Sequence, residues 1–152
     1  MIDPTVETQM LVRRPIEEVF NAFVDPTVTT RFWFTKSSGK LEQGVTVTWQ
    51  WEMYGVSADV QVKEVEPSSR ILIEWDDPVT TVEWRFTSHG AEATLVQISN
   101  VGFQGTEEEI VAMALDSMGG FSLVLAALKA WLEHGIALNL VADRAPEHHV
   151  SR

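Results

Sequence analysis

Trp49, Trp51, Trp75 and Trp84 each stand in a period-2 run, on the same parity as smaller apolar neighbours. Val47, Trp49, Trp51 and Met53 alternate with Thr48, Gln50 and Glu52. Ile71, Ile73 and Trp75 alternate with Leu72 and Glu74, and Val82, Trp84 and Phe86 with Glu83, Arg85 and Thr87. Side chains two apart share a strand face, so the pattern predicts a sheet with one very bulky apolar side. Only one long apolar helical stretch, Met113 to Glu133, is available to cover it. A single helix laid across a curved, Trp-rich sheet leaves an apolar hollow between them; the alternative is a solidly filled aromatic core. The hollow reading makes Trp33, Trp49, Trp51, Trp75, Trp84, Phe86, Ser117, Met118 and Phe121 the candidate ligand contacts. Buried indole N–H groups require acceptors, which a ligand or a water can supply.

The rest of the chain supplies the order of elements. Thr5 to Val12 alternates as a first strand and stops at Pro15. Proline at a first helical position, with Glu17 and Glu18 behind it, opens a helix whose Ile16, Val19, Phe20 and Phe23 share one face. Asp25-Pro26 repeats the start signal for a short helix that delivers Arg31-Phe32-Trp33-Phe34. From Lys36 to Val101 strands alternate with tight connections, with expected strands at Val45–Tyr54, Val56–Glu66, Arg70–Asp76, Thr80–Ser88 and Ala91–Val101. Short loops between neighbours imply an antiparallel meander. Both Leu95 and the Val96, Ile98 pair are apolar, which leaves the inward face of the last strand open. Thr106 and Glu109 form a capping box, and Gly135 ends the helix that follows. Gly119-Gly120 interrupts this helix at a cost of about 1 kcal/mol per glycine relative to alanine, expected as a kink in preference to a close backbone approach. One domain over 1–145 and a flexible tail over 146–152 are expected.

The 152 residues hold no cysteine and 22 acidic against 11 basic side chains, a formal charge of −11. This excludes thiolate chemistry and disulfides, and disfavours nucleic-acid backbones and anionic membranes as partners. With no uncharged run near the ~18 residues of a membrane span and no leader-like start, a cytoplasmic protein without membrane insertion is expected.

Catalytic signals are sparse. Asp116 and Ser117 lie on the last helix beside the glycine pair, and Asn100 ends the last strand; Asp116 and Asn100 are the candidates to orient a substrate or accept a proton. The Gly-x-Ser-x-Gly spacing of a nucleophile elbow is missing. His89 falls at a hairpin turn, His134 at a helix end, and His148-His149 in the tail, a distribution that offers no metal site and implies no cofactor.

Strand, two short helices, antiparallel meander and long C-terminal helix make an α+β helix-grip arrangement, a curved sheet wrapped around the last helix. Val12-Arg13-Arg14-Pro15-Ile16-Glu17-Glu18-Val19-Phe20-Asn21-Ala22-Phe23, Asp25-Pro26 leading to Arg31-Phe32-Trp33, Val65-Glu66-Pro67 before Arg70–Trp75, Thr94–Phe103, and Gly120-Phe121 stand in an order that resembles the START-like, or SRPBCC, superfamily. Within it the chain is similar to bacterial proteins of the activator of Hsp90 ATPase homologue 1-like (AHSA1-like) family. Many relatives carry Gly-Trp where this chain has Gly120-Phe121, and eukaryotic activators carry an additional N-terminal domain. The resemblance implies a deep apolar cavity that holds a small hydrophobic or amphipathic molecule. A cyclase- or hydrolase-type enzyme acting on a hydrophobic, polyketide-like substrate in that cavity, and an Hsp90-type chaperone partner, are the alternatives. Apolar Ile136, Leu138, Leu140 and Val141 must cover either the domain's own flank or a second subunit, so a homodimer is a further expectation.

Overall fold

The chain's strands pair in one antiparallel sheet in the computed structural model, which describes residues 2–150. The strands are β1 (Val6–Val12), β2 (Lys36–Ser37), β3 (Thr46–Trp51), β4 (Val56–Glu66), β5 (Arg70–Trp75), β6 (Thr80–Ser88) and β7 (Thr94–Val101). Helices α1 (Ile16–Val24) and α2 (Pro26–Thr29) follow β1, α3 (Glu107–His134) follows β7, and α4 (Leu140–Asp143) lies beyond it. The sheet order is β1-β7-β6-β5-β4-β3-β2, so the first strand closes the meander against the last.

Alternation decides which side of the sheet is covered. On β6, Thr80, Val82, Trp84 and Phe86 are buried, and their β5 partners Ile71 and Ile73 are fully so. On β7 the inward set is Thr94, Val96, Ile98 and Asn100, which resolves the ambiguity of that strand. A register shift between Val62 and Glu64 marks a bulge in β4, a device that sharpens local twist. The strand expected to reach Tyr54 ends at Trp51. Glu52–Tyr54 instead forms a 3-10 turn closed by Gly55 at φ 62, so Met53 leaves the alternation.

Both helix starts behave as their residues dictate. Asp25 accepts from the Thr27 backbone N–H at 3.0 Å and caps α2, while Thr106 and Glu109 exchange side chain-to-backbone hydrogen bonds at the start of α3. Asp25 and Glu109 titrate below the usual carboxylate range because a backbone N–H stabilises each charged form. α3 runs unbroken through Gly119-Gly120 to Gly135, whose φ of 65 closes it. On length and composition it could cross a membrane, with an 18-residue window of mean hydropathy 1.8. Here it lies across the sheet, burying Ile110, Phe121, Val124, Leu125, Ala127 and Leu128. Its far end is tied to β1: Lys129 donates to the Leu11 carbonyl at 2.8 Å, and the Glu133 carboxylate accepts from the Arg13 backbone N–H at 2.8 Å and from Lys129 at 2.6 Å.

Candidate functional site

Between the sheet and residues 113–124 of α3 lies a cavity of about 840 Å³. Three tryptophans from separate segments wall it: Trp33 after α2, Trp51 at the end of β3 and Trp75 at the end of β5. Their ring centroids stand 6.1–6.3 Å apart, and Phe121 of α3 faces Trp33 and Trp75, each at 5.9 Å. Such edge-to-face clusters hold one another rigidly and leave a preformed apolar surface.

The other expected contacts lie elsewhere. Trp49 and Trp84 are both 1% exposed and border no part of the cavity. Trp49 stacks on Phe34 at 4.7 Å, and Trp84 packs on Phe23 at 5.8 Å. Phe86 meets Phe20 at 5.1 Å. Met118 is exposed on α3, because one step from Ser117 turns a helical side chain through about 100°. Parity puts all the strand tryptophans on one sheet face, but α1 and the Phe32–Phe34 segment fill the middle of that face. Only the strand ends remain open. No protein acceptor reaches the indole N–H of Trp49, Trp75 or Trp84, and of these Trp75 borders the cavity.

Polar groups converge on one wall. Asn100, 2% exposed, donates to the Thr80 hydroxyl at 3.1 Å and to the Thr81 carbonyl at 2.9 Å, and its side-chain oxygen accepts from the Ser117 hydroxyl at 2.8 Å. Asn100 and Ser117, chosen from sequence, are thus brought together on the cavity wall. Their amide and hydroxyl orient one another, and the Ser117 oxygen keeps a lone pair that can accept from a ligand hydroxyl or N–H. Asp116 sits at the rim with its side chain 84% exposed, 3.4 Å from the Arg144 guanidinium. That exposure suits a surface ion pair better than proton transfer in a dry pocket.

Asp76 is one wall residue that sequence reasoning missed. The reading placed it at the end of a strand, but its backbone turns into the left-handed region at φ 70 and sets it at the cavity mouth. Solvent reaches the residue, yet protein atoms crowd its carboxyl. This desolvation pushes its pKa up, the Thr80 hydroxyl partly counters it, and the charge of Asp116 adds to the rise.

The C-terminal segment closes one side. Val141, Arg144, Ala145 and His148 border the cavity, and the Tyr54 hydroxyl donates to the Ala142 carbonyl at 3.0 Å and to that of Val141. Where a flexible tail is expected from residue 146, Pro146–His148 forms a 3-10 turn and the Val150 N–H donates to the Met53 carbonyl at 2.9 Å. Residues 151–152 of that expected tail lie outside the described residues. The glycine pair fits this strap: a Cβ on Gly119 would stand 2.6 Å from Arg144 Nη2, and one on Gly120 3.1 Å from Nη1. Close approach, and not a break in α3, is what these glycines serve. Among the described residues no group of three or more His, Asp or Glu is arranged to hold a metal.

The sequence matches the family described as activator of Hsp90 ATPase homolog 1-like protein over residues 13–133. The chain belongs to that family. Solved structures share the fold of this AHSA1-like chain. It is similar to protein SSP2350 from Staphylococcus saprophyticus at 32% identity, over 89% of this chain and 96% of that one, with a TM-score of 0.77. The fold also matches CalU16 from Micromonospora echinospora (19% identity, 96% and 84% coverage, TM-score 0.72). A third match is the Aha1 dimer from Colwellia psychrerythraea (16% identity, 89% and 98% coverage, TM-score 0.74). No curated protein sequence matches the chain. The family match ends at residue 133, so the strap of this AHSA1-like chain lies beyond it.

Proposed function

We propose that this protein binds a small hydrophobic or amphipathic molecule in the cavity between the sheet and α3. The observation that carries this reading is the wall of Trp33, Trp51, Trp75 and Phe121 around about 840 Å³, a volume in the range of small-molecule sites. The Asn100–Ser117 pair gives the ligand a polar end to orient, and the family's START-like fold supports the same use. Native mass spectrometry of freshly purified protein should detect a co-purified small molecule. Adding a tight hydrophobic ligand at about 100 times its Kd should raise stability by about 2.7 kcal/mol and change the emission of the clustered tryptophans. No bound mass, together with no shift across a broad panel of lipids and polyketides, overturns the reading.

A second reading, a cyclase- or hydrolase-type enzyme in the same cavity, draws on the burial of Asn100 beside Ser117. There Asn100 orients the Ser117 hydroxyl, whose oxygen positions an enolisable substrate, and turnover that survives Asn100→Ala removes that role. Ile136 and Leu138, each about half exposed, fit a homodimer contact, which light scattering of the purified protein tests.

A further inference from the structure

We propose that Asp76 anchors the polar end of the ligand and that the ligand is an organic cation, a protonated amine on an apolar body. This rests on the binding reading above and specifies its chemical class.

Three independent features of the mouth lead there. The first is placement. Trp75 forms part of the aromatic wall, and the very next residue adopts φ 70, a conformation that aspartate tolerates better than most residues but that ordinary strand continuation would avoid. The turn therefore sets a carboxylate directly beside an indole, both bordering the same cavity.

The second is the lack of a counter-charge. Among the described residues no Lys, Arg or His pairs with Asp76. Arg144 is the single guanidinium on the cavity lining and is already engaged with Asp116, while the Asn100 amide is spent on Thr80 and Thr81. A crowded carboxylate with a second anion nearby is one that a cationic guest relieves, and the upward push on the Asp76 pKa agrees with this.

The third is the wall chemistry. The faces of Trp33, Trp51 and Trp75 carry negative quadrupole density and attract ammonium groups, so the rings and the carboxylate favour the same guest. A carboxylate-bearing guest would meet Asp76, Asp77 and Asp116 on the lining, and the chain's charge of −11 repels it before it arrives. A neutral guest gains the aromatic walls but leaves Asp76 without a counter-charge.

The test uses three probes on one naphthalene body: 2-naphthylmethylamine, 2-naphthalenemethanol and 2-naphthoic acid, titrated calorimetrically at pH 7 into the whole chain. The amine is expected to bind about tenfold or more tighter than the alcohol, and the acid weakest. Asp76→Asn, which keeps the left-handed turn accessible, should bring amine and alcohol within about twofold. Glu74→Gln removes the same unit of charge from the exposed side of β5 and should leave the preference in place. Retained alcohol affinity in Asp76→Asn reports an intact cavity. Equal binding of amine and alcohol by the wild type, or an amine preference that survives Asp76→Asn, overturns the cation assignment while leaving the binding reading standing. Failure of all three probes to bind counts against both.

Discussion

The two halves of α3 cover the same sheet in opposite ways. From Leu125 onward the helix drives Leu125, Ala127 and Leu128 into the core and is fastened to β1 through Lys129 and Glu133. Over residues 113–124 it borders the cavity, with Leu115 and Met118 exposed, Ser117 turned to Asn100, and Phe121 and Val124 buried in the wall. One sheet face thus carries a filled end and a hollow end. The difference lies in what arrives from the loops: α1 with Phe32 and Phe34 plugs the first end, whereas Trp33, polar side chains and the C-terminal strap edge the second. Tryptophan alone does not make a cavity; tryptophan at a strand end with no plug above it does.

Replacing one tryptophan from each end is the strongest way to break this comparison. Trp84, fully buried between Phe23 and Phe121, should cost about 3–5 kcal/mol on truncation to alanine and lower Tm sharply. Trp75→Ala removes a ring that already borders open space and should cost about 1–2 kcal/mol while weakening the fluorescence response to hydrophobic ligands, to which Trp33 and Trp51 still contribute. Equal destabilisation by the two variants in thermal melts would mean that the hollow end is packed as tightly as the filled one.

Acid titration sharpens the same contrast, because the two ends carry carboxyls shifted in opposite directions. Burial raises the pKa of Glu133, but the Arg13 N–H, Lys129 and His134 more than offset it, so the group titrates below its usual 4.5. Its stabilisation is complete above that usual value and is lost as pH falls through the depressed folded value. Glu133→Gln should therefore cost about 1–2 kcal/mol at pH 7, with the gap to wild type closing in acid. Asp76 is raised above its usual 3.8, so its favourable contribution exists below that value and is lost as pH rises through the folded pKa. Asp76→Asn should accordingly raise Tm at pH 7 and lose that advantage at lower pH. A Tm gain that does not change with pH would mean the carboxyl is not desolvated.

The filled end was the more legible part in sequence. Period-2 alternation placed Ile71, Ile73, Val82 and Trp84 on one face, and the Leu125 and Leu128 spacing gave the register of α3, because burial enforces both periods strictly. Strand Thr80–Ser88 and the Thr106–Glu109 capping box were readable residue for residue. At the hollow end Trp33, Trp51, Trp75, Ser117 and Phe121, all candidates from sequence, line the cavity together with Asn100 at the end of β7. Asp76 was not, since a positive φ at a non-glycine residue leaves no compositional trace. Arg144, His148 and Tyr54 were missed because their places depend on a chain reversal after Gly135 that no local pattern encodes. The one available signal was the Gly119-Gly120 pair, whose expected kink is in fact a close approach by Arg144.

That pair gives the smallest expected effect and the finest probe of the hollow end. Gly119→Ala places a methyl where Arg144 Nη2 now sits 2.6 Å away, and the guanidinium, at the tip of a flexible side chain, can swing aside. The helix gains about 1 kcal/mol in propensity, while the strap loses an exposed ion pair with Asp116 worth about 0–1 kcal/mol. Global Tm should therefore stay level or rise slightly, even as the strap loosens. Hydrogen exchange should quicken across Val141 to Val150 and at the Tyr54 turn, and remain unchanged in β6 and β7. Because the strap borders the cavity, ligand release should quicken in the same variant. Unaltered exchange in the strap would show that Tyr54 and Val150 hold it without Arg144, and that the glycine pair serves helix packing alone.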